Sequence, residues 1–257
     1  MDKVQIVKIG GNIIENRKDL HVFLSDFSKI KGPKILVHGG GKEVTQMATK
    51  INVPVKIIDG RRVTNLENLE IITMLYAGKI NKTIVAQLQA LNCNSLGLTG
   101  ADGNSIVAEK RSPNPIDYGF VGDVVSVNAS FFTNLLHQGI TPVNCAITHN
   151  KKGQLLNTNA DTIAAKIAAS LASNFEVTLS YCFEKKGVLE DIKNEKSVLP
   201  SINKVLYVSL KNTGVIHSGM LPKLHNCFEA LQKGVQQVRI GNQKMITETK
   251  NYTQIQL

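Results

Sequence analysis

Lys34-Ile35-Leu36-Val37-His38-Gly39-Gly40-Gly41 sets a short β-like run directly against three glycines. Val4-Gln5-Ile6-Val7-Lys8-Ile9-Gly10-Gly11 does the same near the start of the chain. A segment of helical period follows each turn. Strand, glycine turn, helix is the geometry in which backbone N–H groups approach an anion with a helix N-terminus behind them. Two such turns in neighbouring β-α units imply one molecule carrying several anionic groups, or two anionic molecules meeting. Lys8 stands at the mouth of the first turn, placed as a point charge for a phosphoryl group. Taken singly, each turn reads equally well as a tight connection with no ligand. The common nucleotide motifs do not fit. A P-loop requires G-x-x-x-x-G-K-[ST], but Gly41-Lys42 is followed by Glu43, and the earlier glycine position falls on Leu36. A dinucleotide fingerprint requires G-x-G-x-x-G, and after Gly39 and Gly41 its third position is Val44.

Outward from these turns the periodicity alternates. Helices are expected over 18–30, from about 44 to 51, from Asn65 as N-cap through Ile84, over 131–138, over Ala160–Leu171 with Asn159 as cap, and over 219–233. Strands are expected over 95–99, 105–109, 120–127, 141–147 and 175–179, with 235–240 as the closing strand. The alternation predicts an α/β fold: an open, mainly parallel sheet between helix layers, an α-β-α sandwich. Ligands of such sheets sit at the C-terminal ends of the strands, where both glycine turns lie.

At 257 residues and 42% apolar content the chain supports a proper core in a single domain. It contains no apolar run long enough to span a membrane, and Met1-Asp2-Lys3 leads directly into a strand, so a cytoplasmic protein is expected. Cys93, Cys145, Cys182 and Cys227 are widely spaced without C-x-x-C, the pattern of reduced structural thiols; no metal site is expected. The net charge of +10 is scattered and lacks aromatic-basic interleaving, which favours small anionic substrates over nucleic acid.

Four further segments join the two turns. Asp59-Gly60-Arg61-Arg62-Val63-Thr64 offers a guanidinium for a carboxylate. Asn157-Thr158-Asn159-Ala160-Asp161 opens the Ala-rich helix. Lys185-Lys186-Gly187-Val188-Leu189 follows a strand, and Gly219-Met220-Leu221-Pro222-Lys223 opens the last large helix. Read one at a time these residues are ordinary: Lys8 a solvated charge, Asp161 a complement to a helix dipole, Arg62 a surface arginine, Asn159 a cap. His38, His217 and Tyr181 carry no decisive signal, and Lys151-Lys152 reads as a solvated turn.

The ordered set K-[IL]-G-G, H-G-G-G, G-x-R-V-T, N-x-N-A-D and G-M-x-x-K extends over nearly the whole chain and resembles the amino-acid kinase family, in particular its members that act on an N-acylated glutamate. The resemblance implies transfer of the ATP γ-phosphoryl group to the γ-carboxylate of that substrate, giving an acyl phosphate in arginine biosynthesis. It implies that Lys8 and Lys223 stabilise the transition state and that Asp161 holds both. Gly40 and Gly41 would donate N–H groups, Arg62 would grip the α-carboxylate, and Asn157 and Asn159 would complete the substrate site. Gly10, Gly11, Lys186, Gly187, Val188, Leu189, Val215, Ile216 and His217 would border the nucleotide, with Mg²⁺ carried on ATP. The implied division is an N-terminal lobe, 1–173, for the acyl-amino-acid and a C-terminal lobe, 174–257, for ATP. N-acetyl-L-glutamate is the first expectation and N-succinyl-L-glutamate the second; a non-catalytic amino-acid or nucleotide sensor of the same fold is the rival of another class.

Departures qualify this. The family's S-D-V-x-G nucleotide loop is replaced by Ser180-Tyr181-Cys182-Phe183-Glu184-Lys185-Lys186-Gly187, longer and without the aspartate. Arg61 stands where the family has an apolar residue. If 59–64 is extended, Arg61 and Arg62 point to opposite faces, so Arg61 is read first as a solvated charge and second as a cation for a succinyl carboxylate. Only three residues precede the first strand, so the family's N-terminal linking helix is not expected here; a homodimer insensitive to arginine is.

Overall fold

The computed structural model describes residues 1–58, 60–216, 220–247 and 252–257. β1 (Asp2–Ile9) leads through Gly10 into the short α1 (Gly11–Glu15), then α2 (Arg17–Ser28), β2 (Lys34–His38) and α3 (Gly41–Lys50). β3 (Lys56–Ile58) and β4 (Arg61–Val63) form an antiparallel ribbon. α4 (Leu66–Thr73) is capped by Asn65 and passes through a π-helical segment, Met74–Ile80, into α5 (Asn81–Ala90). There follow β5 (Ser95–Leu98), β6 (Ile106–Lys110), β7 (Gly122–Val127), α6 (Ala129–His137), β8 (Thr141–Cys145), β9 (Ile147–His149), β10 (Leu155–Asn157) and α7 (Ala160–Leu171). The last third holds β11 (Phe175–Cys182), β12 (Ser201–Ile202), α8 (Lys204–Asn212), α9 (Leu221–Gln232), β13 (Gln237–Gly241) and β14 (Thr253–Ile255).

The main sheet has eight strands in the order β12-β14-β13-β11-β1-β2-β8-β5. Every neighbouring pair is parallel except β13 and β14. All five residues of β2 are buried, as are the apolar positions of β1 and β11. Such uninterrupted burial is what a parallel strand covered by helices on both faces requires. Strands from the last third of the chain lie on one side of β1 and strands from the first two thirds on the other.

Several expectations need correction. The apolar run 141–147 is not one strand: β8 ends at Cys145, and β9 belongs to a separate four-stranded sheet, β10-β9-β6-β7. The helix from Asn65 is regular only up to Thr73, because the π segment inserts a wider turn. β13 does not close the sheet, since β14 pairs beside it. β12 and α8 had no counterpart in the periodicity.

Lys34 shows how the core tolerates a charge. It is only 7% exposed, and its Nζ donates to Ser28 O at 2.7 Å and to Ile30 O at 2.8 Å, just past the end of α2. Its stem packs over Phe27, 5.5 Å from the ring centroid to Nζ. Lys34→Met keeps the apolar stem and strands two carbonyls. We expect it to lower the unfolding free energy by about 1–3 kcal/mol, read as a shifted urea midpoint at unchanged m-value.

Candidate functional site

The two glycine turns sit side by side at the C-terminal edge of the main sheet, because β1 and β2 are adjacent and parallel. They border a cavity of about 530 Å³. Opposite them α7 begins, with Asn159 Oδ1 accepting from the N–H groups of Asp161 at 2.8 Å and Thr162 at 3.1 Å. The Asp161 carboxylate is the junction of the site. Lys8 Nζ, from β1, lies 2.8 Å from Oδ1, and Lys223 Nζ, from the first turn of α9, lies 2.6 Å from Oδ2. The three side chains are between 11 and 15% exposed. Burial on its own raises a carboxyl pKa, but the ammonium groups of Lys223 and Lys8 outweigh it and hold Asp161 well below the ordinary carboxylate range. Burial, with the nearby charge of Lys223, lowers Lys8 below its ordinary value despite Asp161. The trio carries one net positive charge.

The second turn is held rigidly. Gly40 has φ 148°, and a Cβ there would collide with Ile80 Cδ1 and approach Tyr76 Cε1 to 3.1 Å, so only glycine fits. Tyr76 and Ile80 belong to the π segment. His38, at the strand end, is fully buried; Asn81 Nδ2 donates to its Nε2 at 3.1 Å, which leaves Nδ1–H to donate to Gly39 O at 2.9 Å. Burial lowers the His38 pKa to about 4, so the imidazole is neutral. On the ribbon, Arg62 Nη2 donates to Gly41 O at 2.8 Å and Thr45 Oγ1 at 2.7 Å, while its buried Nη1 has no partner among the described residues. Asn157 Nδ2 donates to Thr64 Oγ1 at 3.0 Å.

A sequence model of the amino acid kinase family matches residues 3–242. This chain belongs to that family. An acetylglutamate kinase of Parabacteroides distasonis is 48% identical over 250 residues, 97% of this chain and 98% of that protein. An acetylglutamate kinase of Cytophaga hutchinsonii is 50% identical over 252 residues, 98% of this chain and 96% of that protein. Among solved structures, a Streptococcus mutans protein superposes with a TM-score of 0.80 at 28% identity, covering 94% of this chain and 96% of its own.

Against this kinase family background, the residues singled out from the sequence divide into three groups. Lys8, Gly10, Gly11, Gly40, Gly41, Arg62, Asn157, Asn159 and Asp161 all line the cavity, with Lys223 reaching Asp161 from α9. The Gly10 N–H donates to Cys182 O at 3.0 Å. Lys186, Gly187, Val188, Leu189, Val215 and Ile216 are not in the cavity wall; Val188 and Ile216 are core residues, and Val188 N–H donates to Thr253 Oγ1 at 2.8 Å. The side chains of Val188 and Ile216 are buried. His217 lies outside the described residues. Arg61 corrects the first reading of it: it lines the same cavity as Arg62, joined by Arg111. Alternation fixes where Cβ atoms point, but a guanidinium on a long stem reaches past a three-residue strand. Arg111 is paired with Asp123, with Nε donating at 3.0 Å, whereas Arg61 forms no ion pair among the described residues. Burial and the charge of Arg111 lower the Arg61 pKa. Sequence reasoning missed Arg111, Thr45, Tyr76, Phe183 and Glu184 as parts of the wall. Tyr76 was legible only as one of a helix's apolar stripe.

The neutral His38 makes stability depend on pH. Its folded pKa, about 4, is below its ordinary 6.5. The imidazole contribution is therefore fully present above pH 6.5 and is lost as pH falls toward 4, because the unfolded chain takes up the proton first. Over that window the loss is about 3 kcal/mol. His38→Gln should flatten this part of the urea-midpoint profile; a variant profile parallel to wild type would show that His38 is not its source.

Proposed function

We propose that this chain transfers the γ-phosphoryl group of MgATP to the γ-carboxylate of N-acetyl-L-glutamate, giving an acyl phosphate, in arginine biosynthesis. The observation that carries this is the Lys8–Asp161–Lys223 bridge at the head of a glycine-walled cavity. Acetylglutamate kinases about half identical to this chain over nearly its whole length support it. The chemistry asks little covalent work of the protein. A carboxylate is already a nucleophile, so no general base is required. What must be overcome is repulsion between two anions, and fixed cations and N–H groups do this without reorganising.

In this reading Lys8 and Lys223 touch the moving phosphoryl from either side, and Asp161 keeps their ammonium groups apart and aimed. Gly40 and Gly41 offer N–H groups at the start of α3, Arg62 takes the α-carboxylate with its unpartnered Nη1, and Asn157 and Asn159 hold the remaining polar end. Residues 1–173 take the acyl-amino-acid. Residues 174–257 take the nucleotide, with Gly10 and Gly11 beneath its phosphates and Lys186 to Leu189 and Val215 to His217 at its border. Among the described residues no group of three or more His, Cys, Asp or Glu side chains is placed to hold a metal ion. Mg²⁺ is read as part of the MgATP substrate. No helix among the described residues is long and apolar enough to cross a membrane, and the four cysteines are free and buried; we read the protein as a cytoplasmic enzyme. Among the described residues β5 is an edge strand of the main sheet, with Leu96 41% exposed, which supports a homodimer.

Lys223→Ala should lower kcat by two to three orders of magnitude, about 3–4 kcal/mol by analogy with loss of an oxyanion donor, and leave KM for both substrates nearly unchanged. A coupled ADP-release assay reads this. Near-normal kcat would remove Lys223 from the reaction.

One observation favours a second acyl group. Arg61 and Arg111 share the cavity, and Arg61 has no counter-ion among the described residues. A succinyl group carries a carboxylate that such a cation would meet. Comparing kcat/KM for N-acetyl- and N-succinyl-L-glutamate decides the acyl group. Repeating the comparison with Arg61→Ala decides the cause: the succinyl-to-acetyl ratio should fall about tenfold or more, and an unmoved ratio would exclude Arg61 from the choice.

A further inference from the structure

Tyr181 occupies the strand position next to Lys8: the two are Cα partners in the β1–β11 register, so both side chains leave the same face of the sheet. It is among the largest fully buried side chains of the chain. Two of its contacts converge on the charged trio. Its hydroxyl donates to the backbone carbonyl of Asp161 at 3.0 Å, in the first turn of α7. The face of its ring lies 4.9 Å from Lys223 Nζ. Lys223 is thus held between a carboxylate oxygen and an aromatic face, and Asp161 is held by its backbone and through both oxygens.

We infer that Tyr181 is a positioning residue for phosphoryl transfer, its hydroxyl fixing the turn that carries Asp161 and its ring face supporting Lys223 as an aimed cation. The inference rests on the proposed kinase reading. A second carboxylate beside Lys223 would hold the ammonium equally well, but it would cancel the trio's one net positive charge and repel the incoming phosphate. A ring quadrupole attracts the ammonium and adds no net charge. It also excludes water from that side of Lys223, which strengthens the remaining interactions. The other ionisable groups acting on Tyr181 are Cys227 and Glu229. Burial holds the Cys227 thiol in its neutral form, so it brings no charge to the site. Glu229 is engaged by Lys166 and Lys233.

The test grades the ring's electron density at nearly constant shape. Tyr181→Phe removes the hydroxyl, and mono-, di- and trifluorinated phenylalanines at position 181 then weaken the ring face step by step. Along this series kcat with N-acetyl-L-glutamate should fall about tenfold in total, with KM for both substrates within about twofold. In parallel, the unfolding constant in urea should rise by a similar factor when Lys223 is present and stay flat in the Lys223→Met background, a double-mutant cycle that needs no substrate. A flat kcat series, or a fluorine trend that persists without Lys223, overturns the inference, because packing alone produces either. If the wild-type protein does not phosphorylate N-acetyl-L-glutamate, the kinase reading falls by itself, and the substrate-free cycle then decides whether the ring supports Lys223. Should the trifluorinated chain fail to fold, the first two fluorine steps carry the same slope.

Discussion

Two ammonium groups cannot share a largely buried site unless something negative stands between them, and Asp161 is what makes this site possible. Its two oxygens separate Lys8 from Lys223 and fix each at hydrogen-bond distance. A buried ion pair of this kind is a poor source of net stability, because desolvation of the charges offsets most of their attraction. Its return is geometric. Three elements far apart in sequence, β1, α7 and α9, must arrive together for the bridge to form, so the bridge registers the strand carrying Lys8 against two helix N-termini. The placement of Asp161 in the first turn of α7 adds the helix dipole to the forces keeping it ionised. Deleting the carboxylate would leave two like charges facing each other out of water, a cost of about 3–5 kcal/mol.

The second turn answers to a different constraint, the space left by a helix. Gly40 lies against Tyr76 and Ile80, and neither residue leaves room for a Cβ. Both belong to the π segment, whose wider turn shifts the helix face by about one residue between α4 and α5. Asn81 then reaches His38 Nε2 and Val143 O, while Ile84 and Leu88 still face the core. A neutral imidazole is needed here, since it must accept from Asn81 and donate to Gly39 O at once; protonation would remove the acceptor. The irregular helix, the buried histidine and the positive-φ glycine are one device, and it sets where the N–H groups of the H-G-G-G turn point.

How much of this was readable from the chain depends on whether the cause was local. Asn159 announces the start of α7, because capping is decided within three residues. The glycine turns announce themselves because a β-like run ends on them. The ordered motifs single out Lys8, Arg62, Asp161 and Lys223; the structure places the first three at one cavity and pairs Lys223 with Asp161. The break between β8 and β9 was invisible: Ala146 continues an apolar run, and only pairing with different partners divides it. The π segment left no trace, since 69, 72, 76, 80 and 84 satisfy an α-helical stripe. Tyr181 was opaque for a related reason: an aromatic residue in a buried strand is the usual core composition, and its role depends on Lys223, 42 positions later.

Charge gives the last step. The net +10 read from composition says nothing about where the excess lies. Around the cavity it becomes specific: among the described residues Lys8, Lys42, Arg61, Arg62 and Arg111 line it, against Asp161 and Glu184. Asp161 is already shared by two lysines, and Arg111 is satisfied by Asp123 outside the wall. What remains uncompensated among the described residues is Arg61, the unpartnered Nη1 of Arg62 and the net charge of the trio. A cavity of about 530 Å³ matches small anions in size, and the field it creates favours them. The cations are also unequal in kind. In the proposed reading Lys8 and Lys223 stand where charge is to move, as compact points that carry no directional demand. Arg61 and Arg62 stand on the ribbon, where in the proposed reading a planar fork meets a fixed carboxylate. In the proposed reading, that division between mobile and fixed negative charge is the chemical logic by which one cavity would both recognise an acidic amino acid and phosphorylate it.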